Sequence, residues 1–155
     1  MSGKKALIVL CLSNGLFLFL DRFLKWQATH DWSAPRLVGK YFGWQPFFNP
    51  GIGFGLPVPN VVTIFLTGVI LFLIAFLFFK QVTSEGVRYK VLGISSLSLV
   101  FIGALSNLVD RIFFGYTVDY IFTVTGYINI ADILILAGFI IYIIKTSKHE
   151  NIKTV

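Results

Sequence analysis

The chain has 155 residues, of which 56% are hydrophobic, 17% aromatic and only 13% charged, and its mean hydropathy is +0.82. A soluble domain is about half apolar and about a quarter charged, so this composition excludes an ordinary water-soluble globule and points to the bilayer as solvent. The formal net charge of +6 does not indicate a nucleic-acid partner, because the basic residues stand at the edges of apolar blocks and form no stripe.

In chain order, the first charge-free run is Ala6 to Leu20. It is too short to cross a bilayer unless it continues through Asp-Arg-Phe-Leu-Lys-Trp. That predicts a span over residues 5–26, with Asp21 and Arg22 near the far interface and Lys25 and Trp26 as anchors. A cleaved signal peptide would need small residues where Asp21 and Arg22 stand, so a retained helix is expected. Cys11 inside this run reads as a small buried side chain, and a lone cysteine excludes an intramolecular disulfide. His30 and His149 share no ligand spacing, and no metal is expected.

Residues 27–60 form a long outer segment whose stretch VGKYFGWQPFFNPGIGFGLPVPN mixes aromatics with Gly and Pro. Short strands and turns lying on the membrane are predicted there. Val61 to Phe79 and Val91 to Val109 carry no charge over 19 residues each, enough for about 28 Å of helix. They predict spans over 61–79 and 91–110, joined by a polar turn at 80–90. The last run, Ile133 to Ile144, is too short for a hydrocarbon core of about 30 Å, so a fourth span over 127–144 is predicted, beginning near Tyr127. Asp132 is then carried inside the membrane boundary, about 20 Å above Lys145.

The basic residues Lys4, Lys5, Lys80, Arg88, Lys90, Lys145, Lys148 and Lys153 flank one end of these spans, and all five aspartates flank the other. By the positive-inside rule both termini lie in the cytoplasm. Residues 1–155 thus read as a single domain: an all-α membrane protein with four transmembrane helices and a small outer β-cradle on the membrane.

An acid inside a membrane boundary is costly, and retained ones mark functional sites by default. Asp119 alone could be a loop acid at the interface, and Asp132 alone an acid favoured by the positive end of a helix dipole. Brought together, two carboxylates share one proton, an arrangement suited either to activating water against an amide or to relaying protons in a transporter. Three further stretches add polar groups on the same side. SNLVDR sets Asn107, Asp110 and Arg111 on one helix face, FNPGIGFG offers Asn49 in a glycine-bearing loop, and DRFLK spaces Asp21 and Lys25 as an i to i+4 ion pair.

Read together and in order, Asp21 with Lys25, NPGIGF, GALSNLVDR, VDYI and NIAD resemble the bacterial lipoprotein signal peptidases, or signal peptidases II, along essentially the whole chain. The resemblance implies a catalytic pair, Asp119 and Asp132, and supporting roles for Asn49, Gly51, Asn107, Asp110, Arg111, Asn129, Ala131, Asp21 and Lys25. It also implies a membrane-embedded aspartic endopeptidase of the bacterial inner membrane, with its active site on the outer side. Its substrate would be a diacylglyceryl-modified prolipoprotein cut just before the lipidated cysteine. Membrane lipid is the other implied partner; no cofactor or metal is implied, and a monomer is expected.

This chain departs from the family pattern in several places. Pro50, Ile52 and Gly53 alter the loop motif, Ser106 precedes Asn107 where Gly is common, and Ile128 precedes Asn129 where Phe is usual. The stretch from Asp119 to Asp132 is short, so any flap built there should be reduced. A proton-coupled transporter would need polar residues continuing inward, which the apolar LAGFIIYII does not offer. A silent scaffold would bind a precursor equally well with either aspartate replaced.

Overall fold

The computed structural model describes residues 3–52, 56–83 and 87–153. Among them are four helices, α1 (Gly3–Thr29), α2 (Asn60–Thr83), α3 (Val87–Phe114) and α4 (Ile130–Lys153), and four strands, β1 (Arg36–Val38), β2 (Phe42–Asn49), β3 (Thr117–Thr123) and β4 (Gly126–Ile128). Gly53 and residues 84–86 of the expected inner turn lie outside the described residues. So do the side chains of Lys4, Arg88, Lys90, Lys148, His149 and Lys153.

The helices are apolar outside, and α1 and α3 bury polar side chains as well as apolar ones. Helix α1 buries Asn14, Asp21, Lys25 and Ala28 on one face and exposes Ile8, Leu12, Leu16, Phe19 and Phe23 on the others. Spacings of seven, four and three keep the buried residues on one stripe. Helix α2 likewise exposes Phe65, Phe72, Phe76 and Phe79. Such surfaces suit an apolar solvent. By length and composition, the stretches Asn60–Gln81 and Val91–Phe114 can cross a membrane. Cys11 belongs to this exposed surface, which corrects the expectation of a buried thiol: where the solvent is apolar, a small apolar side chain gains nothing from turning inward.

Helices α3 and α4 approach closely because glycines face the seam. A Cβ added to Gly103 would lie 2.8 Å from Ile135 Cγ1 and against the carbonyl oxygen of Ala131, and one added to Gly138 would lie 2.6 Å from the carbonyl oxygen of Ser96. Small residues allow this backbone approach where no water drives helices together. Gly103→Ala should therefore destabilise the protein. The gain in helix propensity is about 1 kcal/mol, whereas overpacking against backbone costs about 1–3 kcal/mol and here displaces the first turn of α4. A lowered melting temperature in detergent is expected; an unchanged or raised one would mean that the seam yields freely.

Helix α4 starts at Ile130, three residues later than the length argument suggests. The Asn129 side-chain oxygen accepts from the Asp132 backbone N–H at 2.9 Å, while the Asn129 N–H donates to Asp132 Oδ2 at 3.1 Å. This reciprocal pair is a capping box with Asp in place of Glu or Gln, and it starts the helix there. Tyr127 and Ile128 belong to β4.

All four strands pair antiparallel in the order β1-β2-β3-β4. Only half of this sheet comes from the outer segment at 27–60; the other half is the hairpin of β3 and β4, which runs from Thr117 to Ile128. Its two strands are joined at Val124 and Thr125. Opposite β3, the register of β2 shifts between Trp44 and Phe47, where Pro46 has no N–H to give to the ladder. One extra residue there turns the following side chains over. Phe47 then pairs with Asp119, and Asn49 with Thr117; unbulged, Pro46 and Phe48 would occupy those places. The opposite face of β3, with Val118 and Tyr120, packs on Ala28 and Leu24 of α1.

Candidate active site

Asp119 on β3 and Asp132 in the first turn of α4 line one cavity of about 660 Å³, with Asn49, Asn107, Arg111 and Thr117 beside them. Asn129 joins the two acids. Its side-chain N–H groups reach Asp119 Oδ1 at 2.6 Å and Asn107 Oδ1 at 3.1 Å, and its backbone N–H holds Asp132. Asn49 Nδ2 donates to the other oxygen of Asp119 at 3.0 Å, and Asn107 Nδ2 donates to Asp132 Oδ1 at 2.8 Å. Burial, and after it the charge of Asp132, push the Asp119 carboxyl up to about 7 against the opposing pull of the Asn49 and Asn129 amides and Lys25. Two carboxyls on one cavity, the first of them lifted to neutral pH, can exchange protons with a bound molecule and its attacking water.

Comparison with known proteins then decides the family. The family model for signal peptidase (SPase) II matches residues 14–148. The chain belongs to the signal peptidase II family. It is accordingly a peptidase with membrane character. It is 32% identical to the lipoprotein signal peptidase of Syntrophus aciditrophicus, covering 97% of this chain and 99% of that one. With the lipoprotein signal peptidase of Clostridium tetani the identity is 34% over 89% and 94% of the two chains. Two solved bacterial membrane enzymes share the fold. One superposes with a TM-score of 0.79 at 22% identity, covering 90% of this chain and 88% of its own; the other gives 0.72 at 23% identity, covering 88% and 90%.

Behind the acids of this signal peptidase II chain lies a buried ionic cluster. Asp21 and Lys25 are 0% and 2% exposed. The three protons of the Lys25 ammonium meet three acceptors: Asp110 Oδ2 at 2.7 Å, Asp21 Oδ2 at 3.2 Å and Asn107 Oδ1 at 2.7 Å. Lys25 is therefore no interfacial anchor, although Trp26 beside it is exposed. By holding Asn107 Oδ1, Lys25 turns the amide so that Nδ2 points at Asp132. Asp21 also accepts from Ser106 Oγ at 2.6 Å, Tyr120 OH at 2.9 Å and the Ala131 N–H at 3.2 Å, tying α1 to α3, β3 and the start of α4. Asp110 accepts from Arg22 and from the Val118 N–H at 3.2 Å.

The remaining residues expected from sequence hold the cavity's outer rim. Gly51 donates its N–H to Asn49 Oδ1 at 3.0 Å, and its carbonyl accepts from Arg111 Nη2. Arg111 is thus turned inward, toward the cavity. The structure brings every predicted site residue into this one network. It adds Tyr120, Ser106 and Arg22, which sequence reasoning left out. For Tyr120 a signal existed: next to Asp119 on a strand it must face the opposite side, where a buried hydroxyl needs a partner. Burial and the neighbouring Asp21 raise its pKa, so it remains a donor. Thr63 and Thr67 of α2 also face the cavity; one turn apart within an apolar span, they gave only a weak signal.

Proposed function

We propose that this protein is an aspartic endopeptidase that frees signal peptides from diacylglyceryl-modified prolipoproteins, cutting just before the lipidated cysteine. One observation carries the reading: a strand and the helix start that follows its hairpin present Asp119 and Asp132 to a single cavity through a shared asparagine. Family membership and the lipoprotein signal peptidases among its relatives support the substrate class.

The charges of the cluster also favour one shared proton. Arg22 and Lys25 balance Asp21 and Asp110, which leaves Arg111 facing the two acids. One protonated carboxyl brings the whole cluster to neutrality, whereas a second ionised one would be an uncompensated buried charge. In the mechanism, the ionised carboxylate takes a proton from water as it attacks the scissile carbonyl. The protonated one donates to the carbonyl oxygen and then helps protonate the departing nitrogen. A proton relay would need polar groups running inward from the acids. The deeper wall of the cavity is instead Ile70, Val100, Ile135, Leu136 and Phe139.

The membrane arrangement belongs to the same proposal. Four spanning helices have both ends in the cytoplasm of a bacterial inner membrane, and the monomer opens its site to the outer leaflet, where a lipidated cysteine resides. The apolar outer faces of α1, α2 and α4 and the basic residues flanking the inner ends support it.

The pH profile of cleavage tests the proton account. A raised carboxyl pKa means that the folded protein favours the protonated form, so the shared proton is present below about 7 and lost as pH climbs through about 7. Cleavage of a lipidated precursor in nanodiscs should therefore decline on the basic side of that value. It should decline again in acid, as the second carboxylate takes up its own proton. A rate that keeps rising through alkaline pH would contradict a shared proton.

A further inference from the structure

Among the described residues, two buried side-chain atoms of the cavity's lining residues have no hydrogen-bond partner: Arg111 Nη1 and Thr117 Oγ1. Their residues are only 7% and 3% exposed, and buried polar atoms are as a rule satisfied. Both residues line the cavity that holds Asp119 and Asp132. Strand alternation sets Thr117 on the same face of β3 as Asp119, two residues away. The register pairs it with Asn49, and Asn49 holds Gly51, which receives the other nitrogen of Arg111. The hydroxyl and the guanidinium N–H are thus fixed by the same corner of the sheet. Each can donate to an oxygen, and no described residue accepts from them.

Building on the proposed reading above, we propose that Thr117 is a substrate-positioning residue. Its hydroxyl and Arg111 Nη1 form a two-donor subsite for a carbonyl oxygen of the lipidated precursor beside the two acids. A carbonyl oxygen fits because it carries two lone pairs and can accept from both donors at once. A precursor offers such oxygens from two sources, its peptide backbone and the esters of its diacylglyceryl group. Thr117 sits two residues before Asp119, so the subsite fixes how far the lipidated residue lies from the reacting carboxyls.

The test compares wild type, Thr117→Val and Thr117→Ser in nanodiscs on two synthetic precursors, one with ester-linked and one with ether-linked chains. Valine keeps the shape and strand preference of threonine, so folding is expected to persist, with the melting temperature as its check. Loss of one neutral hydrogen bond should raise KM for Thr117→Val by about 3–10-fold, with kcat little changed and Thr117→Ser close to wild type. A rise confined to the ester precursor assigns the bound oxygen to the lipid, and an equal rise on both assigns it to the backbone. An unchanged KM on both precursors overturns the subsite. So does a loss in Thr117→Ser equal to that in Thr117→Val, because an effect that serine does not restore is not an effect of the hydroxyl. Failure of wild type to cut either precursor instead overturns the functional reading, and the subsite falls with it.

Discussion

Asp119→Asn and Asp132→Asn should each reduce kcat for a lipidated precursor by about 10²–10⁴-fold, the range supplied by positioned acid–base groups, while precursor binding changes little. Asn keeps the shape of Asp and its capacity to accept from Asn49 or Asn107, but it can neither take a proton from water nor hold one to give. An interaction needed only in the transition state lowers kcat and kcat/KM together. The two variants should be nearly equal and the double variant hardly worse, since a pair acting as one unit is lost when either member goes. Steady-state kinetics beside a direct binding measurement separates these quantities. A scaffold would bind equally in all variants and cut in none, wild type included.

Lys25→Met should be strongly destabilising. It removes the donor that serves Asp21, Asp110 and Asn107 at once, and both carboxylates are fully buried. Breaking a buried pair by deleting one partner costs about 3–5 kcal/mol, because the surviving charge has neither solvent nor counterion. The double variant Lys25→Met with Asp21→Asn restores the charge balance and should recover part of that loss. Melting in detergent across the four members of this cycle measures the coupling. Additive losses would show that Lys25 and Asp21 do not act as a pair. A further consequence separates stability from activity: without Lys25 the Asn107 amide is no longer fixed toward Asp132, so activity should stay low in the double variant even where melting recovers.

What could be read in the sequence depended on whether a signal was local. The runs at 61–79 and 91–109 announce helices because charge is simply absent over a membrane's thickness. The spacing of Asn129 and Asp132 contained the capping box that starts α4, yet the length needed to span a bilayer argued for an earlier start, and the local signal was the better guide. The burial of Lys25 was not legible: an i to i+4 Asp–Lys pair reads the same whether it faces water or a bundle interior. Nor was the bulge at Pro46, which brings Asn49 to Asp119, since one residue of register lies below what alternation can resolve in so aromatic a strand. YIFTVTGYI gave no polar alternation either, and β3 and β4 went unrecognised as a hairpin. The acids themselves were visible as the costly residues of an apolar chain; their geometry had to come from the fold.

The most direct test is the position of the cut. Purified protein in nanodiscs, wild type beside Asp119→Asn, is given a synthetic precursor with and without its diacylglyceryl group, and the products are weighed by mass spectrometry. Two fragments from a single cut immediately before the modified cysteine, formed by wild type from the lipidated precursor alone, are the predicted result. Cleavage by Asp119→Asn at the wild-type rate, or cuts at other bonds, would contradict the account.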